Sequence, residues 1–169
     1  TKADMKDWDE RRALLDGLVV RDYVLKLPDS SFSGEVEYVF KHNLERERIA
    51  QLTSGAAARR YHQTTADWLA QKDGVRSQEE YCAMLAQHLE KGGALARAGL
   101  TYLEAADLAR ASYAAKKANE YYSKGLDLLG DSDARRRIDA LHDHGDVLTL
   151  LGKTDRSEEH TSELQSLAR

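Results

Sequence analysis

The sequence predicts a mainly α protein, in which a helix and one β-hairpin precede a row of short helices stacked as hairpins. Three observations carry that expectation. Apolar residues recur at helical spacing over most of the chain, and strict alternation is confined to two short runs between Asp22 and Lys41. Alanine and leucine are abundant and Pro28 is the single proline, a composition that suits helices. From Glu79 onward, small residues share helical faces with large ones, which lets helix axes approach closely.

Trp8 to Val20 carries Leu14, Leu15, Leu18 and Val19 as a helical stripe. Asp22 to Leu27 alternates, with Tyr23, Leu25 and Leu27 on one face and Val24 and Lys26 on the other. Glu35 to Lys41 alternates again through Val36, Tyr38 and Phe40. Between the two strands, PDSSFSG (28–34) is a turn by composition. Asn43 is the expected N-cap of the next helix, whose short apolar face is Leu44, Ile49 and Leu52. Ser54 is the expected cap of the helix after it. Ala58, Tyr61, His62, Thr65, Ala66 and Leu69 form that helix's stripe, and Trp68 broadens it. Lys72 to Ser77, polar and containing Gly74, reads as a linker and a domain boundary.

Four amphipathic segments follow. Glu79–Lys91 has Cys82, Leu85, Ala86 and Leu89 on one face and is ended by Gly92-Gly93. Ala94–Ala111 has Leu95, Ala98, Tyr102, Ala105, Ala106 and Ala109 on one side. Leu100, Leu103 and Leu108 lie on another, so it should pack on both. Ala114–Leu129 presents Ala118, Tyr122, Gly125, Leu126 and Leu129. Ala134–Leu151 presents Ile138, Leu141, Gly145 and Leu148, with Gly152 expected to close it. These elements suggest a first domain over 1–71, a linker over 72–78 and helical repeats over 79–155.

A helix followed by a β-hairpin is how the last part of a winged-helix domain is built. Tyr102, Ala105, Ala106 and Ala109, followed by Ala118, Tyr122 and Gly125, give a frame that resembles a tetratricopeptide repeat. Gly125 stands where alanine is usual, and the proline expected at the end of a repeat is absent. Phe40-Lys41-His42 with Leu44, together with DSSFSGEVEYVFKH, ARRYHQTTADWLAQ and AGLTYLEAADLA, resembles signal-transduction ATPases with numerous domains. The resemblance covers roughly Leu14 to Lys153. It implies a winged-helix remnant joined to a tetratricopeptide-like solenoid, in a bacterial, cytoplasmic AAA-type protein. Such proteins are often linked to a serine/threonine kinase or a nucleotide cyclase. It also implies that His42 lies near bound nucleotide and helps to report a diphosphate. Family members usually carry an aliphatic residue where this chain has Glu45, and often an aromatic where it has Gln51. The alternative for His42 is a purely structural role at a strand-to-helix junction.

The chain opens on Thr1 in what reads as mid-domain sequence, which suggests a fragment. Arg156 to Ser166, RSEEHTSELQS, has no apolar period and resembles a translated sequencing-library adapter. The coding sequence is therefore expected to stop near Asp155, with 156–169 an artefactual tail that carries no function.

Charge and motifs narrow the function. The net charge of −4 argues against non-specific nucleic-acid binding. The first helix, with Asp9, Glu10 and Asp16 beside Arg11 and Arg12, lacks the basic stripe a DNA reader needs. No apolar run approaches a membrane span. Cys82 is the only cysteine, sits in a core stripe and reads as inert. His142 and His144, two apart, point to nearly opposite helix faces and read as surface residues, and no metal site is expected. His62, on an apolar face, reads as a packed, hydrogen-bonded histidine. Arg135-Arg136-Arg137 reads as a solvated helix start, with contact to an acidic partner as the alternative.

No phosphate loop, nucleophile elbow or zinc-protease motif occurs, so no catalytic residue and no cofactor is expected in this chain. ATP or ADP would belong to the implied parent. The expected role is a non-catalytic regulatory segment that couples nucleotide state to a protein or peptide partner in the repeat groove. A plain scaffold, or a segment that regulates a kinase or cyclase, are the alternatives. With Ile138, Leu141 and Leu148 exposed on the side meant for a further helix, the chain is expected to be fragile or self-associating.

Overall fold

A computed structural model describes residues 2–32, 34–72 and 78–167, with side chains over 10–32, 34–72 and 78–152. Among the described residues the chain is mainly α, with one two-stranded antiparallel hairpin, as the sequence predicts. The elements run α1 (Lys2–Val20), β1 (Val24–Lys26), β2 (Tyr38–Phe40), α2 (Asn43–Leu52), α3 (Gly55–Leu69), α4 (Gln78–Gly92), α5 (Leu95–Ala111), α6 (Ala115–Leu129) and α7 (Ala134–Leu167). Of the expected linker, residues 73–77 lie outside the described residues. Packing divides the chain into two units. The first takes in the residues up to Ala58 together with Lys72. The second takes in Arg59–Gln71 and the helices from Gln78 onward.

In the first unit β1 and β2 pair Val24 with Phe40, Leu25 with Val39 and Lys26 with Tyr38. The backbone bonds Leu27 N to Glu37 O and Lys41 N to Tyr23 O carry the pairing one step further at each end. The buried member of β1 is Val24, on the face opposite Tyr23, Leu25 and Leu27. Between the strands, the Glu37 carboxylate accepts from Ser31 N at 2.8 Å and holds the turn in place. Gly34 completes the turn with φ +79°, a conformation that glycine adopts without steric cost. Lys41 pairs with Asp22, and Lys72 with Glu35.

Two expectations for α2 need correction. Its N-cap is His42, whose backbone is extended at φ −124° and ψ 130°, and Asn43 is already helical. The expected apolar face stays in solvent, since Leu44, Ile49 and Leu52 are all exposed and α2 buries no residue. A helical stripe is buried only where another element is laid along it.

Ser54 caps α3 as expected, accepting from Ala57 N at 3.3 Å. Within the second unit, α3 packs onto the helices that follow. Ala66 is buried beside Leu89 and Ala98, Gln63 Nε2 donates to the Gly92 carbonyl at 2.8 Å, and the Tyr81 hydroxyl donates to the Leu69 carbonyl.

Helices α4, α5 and α6 are joined by two turns of one design. Gly93 N bonds Glu90 O and Ala94 N bonds Leu89 O, both at 2.9 Å. Twenty residues on, Tyr113 N bonds Arg110 O at 3.0 Å and Ala114 N bonds Ala109 O at 2.9 Å. Each is a Schellman closure, in which the residue past the helix end turns left-handed. Gly93 does so at φ 86°, whereas Tyr113 does so at φ 60° against the preference of its side chain. The same offset relates Cys82 to Tyr102 and Tyr122, Ala86 to Ala106 and Leu126, and Ala98 to Ala118, all of them buried. Where α5 crosses α6, Gly99 and Gly125 face each other. A Cβ on Gly99 would meet Leu129 N at 2.6 Å and Gly125 O at 2.9 Å. The packing is therefore small against large, with Leu103 filling the space beside Gly125.

Helix α7 departs from the sequence reading at its C-terminal end. It does not close at Gly152 but runs to Leu167. Gly152 does not take the positive φ of a helix stop, and an interior glycine costs a helix only about 1 kcal/mol. The backbone of the adapter-like run is therefore helical as far as Leu167, and its side chains lie outside those described. Among its described side chains α7 buries Ala140 and Val147, and Ile138, Leu141 and Leu148 are exposed as expected.

Candidate functional site

The polar groups of the second unit converge on Tyr122. Its ring is fully buried, so its hydroxyl needs partners inside the fold. It donates to Asp107 Oδ1 at 2.6 Å and accepts from Arg110 Nε at 3.2 Å. Two ion pairs then reach α7: Arg136 to Asp107 Oδ2 at 2.6 Å, and Arg110 to Asp143 at 3.1 Å. His144 stacks on the Tyr122 ring with centroids 5.5 Å apart, and its Nε2 lies 2.8 Å from Asn119 Oδ1. Burial first, and then the Asp107 carboxylate, push the Tyr122 hydroxyl well above the usual tyrosine range, so it stays a donor at neutral pH. Tyr102 repeats the arrangement one helix earlier, donating to Glu90 at 3.0 Å with its hydroxyl pushed up by burial and by that carboxylate. Lys117 of α6 reaches Glu79 of α4 at 3.0 Å. Thus α4 is tied to α6, and α5 to α7.

Beside this network α5 and α7 flank an open cavity of about 380 Å³. Asp107, Arg110, Tyr113, Asp146, Val147 and Leu150 are among its lining residues. Val147 and Leu150 supply apolar surface, Tyr113 and Asp146 stand exposed, and Arg110 is held in place by Tyr122 and Asp143. Apolar surface therefore lies beside an arginine whose position is fixed by two partners.

The arginine run was expected to be solvated. Arg136 instead reaches Asp107, and Arg137 Nη1 donates to the carbonyls of Leu126 at 2.9 Å and Gly130 at 3.2 Å. The run latches α7 to α5 and to the end of α6, where last-turn carbonyls need donors. His144, expected at the surface, is packed on Tyr122, and burial lowers its pKa. His142 is exposed and shares no group with His144, but Asp143 and Asp146 bring ligand atoms within 4.8 Å of it and of one another. Asp143 is already engaged by Arg110.

His62 is half-buried and hydrogen-bonded as expected, and its partner is His88. Burial, then Lys91, lower the pKa of His62; burial, then His62 and Lys91, lower that of His88. Cys82 is buried, and burial above all pushes its thiol up, away from the reactive thiolate. His42 caps α2 only through its carbonyl, which accepts from Arg46 N at 3.4 Å; its exposed ring makes no cap bond. Glu45 lies in the same first turn, and its Oε2 is occluded without a hydrogen-bond partner. Among the described residues no helix is long and apolar enough to cross a membrane.

Sequence reasoning missed Gly99, Tyr113, His88 and the Asp107–Arg110 pair. Asp107 and Arg110 are three apart on one helix, a spacing that could have been noticed. Gly99 inside an otherwise apolar helix was a second signal. His88 and Arg136 carry no local mark of their partners. No family model, no curated protein and no solved structure matches this chain.

Proposed function

We propose that the chain is a non-catalytic interaction module whose stacked helices α4–α7 form a tetratricopeptide-like array that binds a protein or peptide segment. The observation that carries this reading is the cavity between α5 and α7, where apolar Val147 and Leu150 lie beside an arginine already fixed by Tyr122 and Asp143. A groove with pre-positioned charge loses little side-chain entropy on binding. The test is selection of peptides from a displayed library on the whole chain, followed by Asp146→Lys and Leu150→Glu, both on exposed positions. Loss of binding in these variants, with the helical spectrum unchanged, is the expected result. Undiminished binding moves the partner elsewhere.

In the ATPase reading, the module follows a nucleotide-binding domain, and His42 senses the diphosphate from the start of α2. The exposed ring at a helix N-terminus supports this, because that end favours an anion. Placing His42→Ala in the longer protein and measuring nucleotide-dependent output tests it; an unchanged response removes the sensor. Glu45, in the same turn, favours the second reading, a scaffold without nucleotide coupling, since a carboxylate there repels phosphate. Regulation of a linked kinase or cyclase is compatible with either reading.

A further inference from the structure

We propose that His62 and His88 form a two-imidazole clip for a single divalent ion of the zinc, nickel and copper class, joining α3 to α4. Their Nδ1 atoms face each other at 3.1 Å, with ring centroids 5.0 Å apart and planes inclined by 60°. Metal–imidazole bonds of about 2.0–2.1 Å would span that separation at an N–metal–N angle of about 95–102°. That value lies between the square-planar and tetrahedral angles, so the separation suits one ion shared by both nitrogens once the rings turn to aim their lone pairs at it. The two side chains come from different elements and are 26 residues apart, which makes the site tertiary rather than an i, i+4 pair on one helix.

Without an ion, one ring donates its Nδ1 proton to the other. On binding, that proton moves to Nε2 of the same ring, leaving two Nδ1 lone pairs for the metal and no net proton release above the imidazole pKa. Lys91 is the charged neighbour both rings sense. Burial above all, and then its ammonium, keep the imidazoles in the unprotonated, ligating form, while the ammonium opposes a second positive charge. Water completes the coordination, so binding is weaker than at a four-residue site. The preference follows ligand type: copper above nickel and zinc, with the oxygen-seeking magnesium and calcium not bound.

The experiment is calorimetric titration of the full chain with zinc and nickel, together with thermal melts and the copper(II) paramagnetic spectrum. One ion per chain, a raised melting temperature and a two-nitrogen copper signature are expected. His62→Ala and His88→Ala should each weaken binding at least tenfold. His142→Ala should leave it unchanged. Lys91→Gln should tighten it several-fold, a change that a merely structural histidine pair would not produce. If either histidine variant fails to fold, the Lys91 and His142 variants still decide. No binding at millimolar zinc overturns the proposal, as does binding that survives removal of both histidines or disappears with His142.

Discussion

Gly99→Ala adds one methyl group where α5 crosses α6, and its effect can be worked from the structure. The new Cβ would lie 2.6 Å from Leu129 N, 2.9 Å from Leu129 Cα and 2.9 Å from Gly125 O. All three are backbone atoms, so no rotamer change relieves the contact and the two helices must separate. Overpacking of this kind costs about 1–3 kcal/mol, and rigid neighbours place it toward the upper end. Alanine returns about 0.8–1 kcal/mol through helix propensity. The net loss is about 1–2 kcal/mol. Gly145→Ala is the matched control, because its Cβ meets nothing within 4 Å on α7. There the propensity gain stands alone, and stability should rise by up to about 1 kcal/mol. Urea unfolding followed by circular dichroism measures both. If Gly99→Ala is as stable as the parent chain, or gains as much as Gly145→Ala, the close crossing is refuted.

Three further outcomes follow from other positions. Tyr113→Gly should raise the urea midpoint: a left-handed non-glycine residue costs about 1–2 kcal/mol, and the exposed ring contributes little burial; a lowered midpoint would show that the ring is needed for folding. Tyr122→Phe keeps the buried ring but removes the hydroxyl between Asp107 and Arg110, and should cost about 1–3 kcal/mol in the same assay, whereas no change would mean the network is solvated. Stability should also fall as pH drops below about 6.5. His62, His88 and His144 all have folded pKa values lowered by burial, so the unfolded chain takes up protons first. The stabilisation is complete above the unfolded value and is lost as pH falls through the folded ones. A midpoint unchanged between pH 7.5 and 5.5 would contradict this, and His88→Ala should flatten the slope.

Much of the fold is written in local pattern. The stripes Cys82–Leu89 and Ala118–Leu129 locate α4 and α6, because a helix buried along one face repeats its apolar residues at fixed spacing. Ser54 and Gly93 mark helix ends by chemistry that acts within a few residues. What the pattern could not reveal depends on residues distant in sequence. The α2 stripe reads like the others, yet α2 buries none of its residues. Arg136 looks solvated until Asp107, 29 residues earlier, is brought beside it. Tyr113 takes a turn position that composition assigns to glycine, because the bonds of its own turn to Arg110 and Ala109 and the packing of the helices on either side fix its backbone. The candidate groove was less legible still. Tyr113, Asp146 and Leu150 carry no motif, and they come together only because α5 and α7 both pack on α6.

The nesting of α5 on α6 is tested most directly by nuclear magnetic resonance of the labelled chain. A strong Overhauser contact between the Gly99 α-protons and the Leu129 amide is expected, because only a crossing through the two glycines brings them so close. Its absence, with both helices still formed, would contradict the stack on which the proposed binding surface depends.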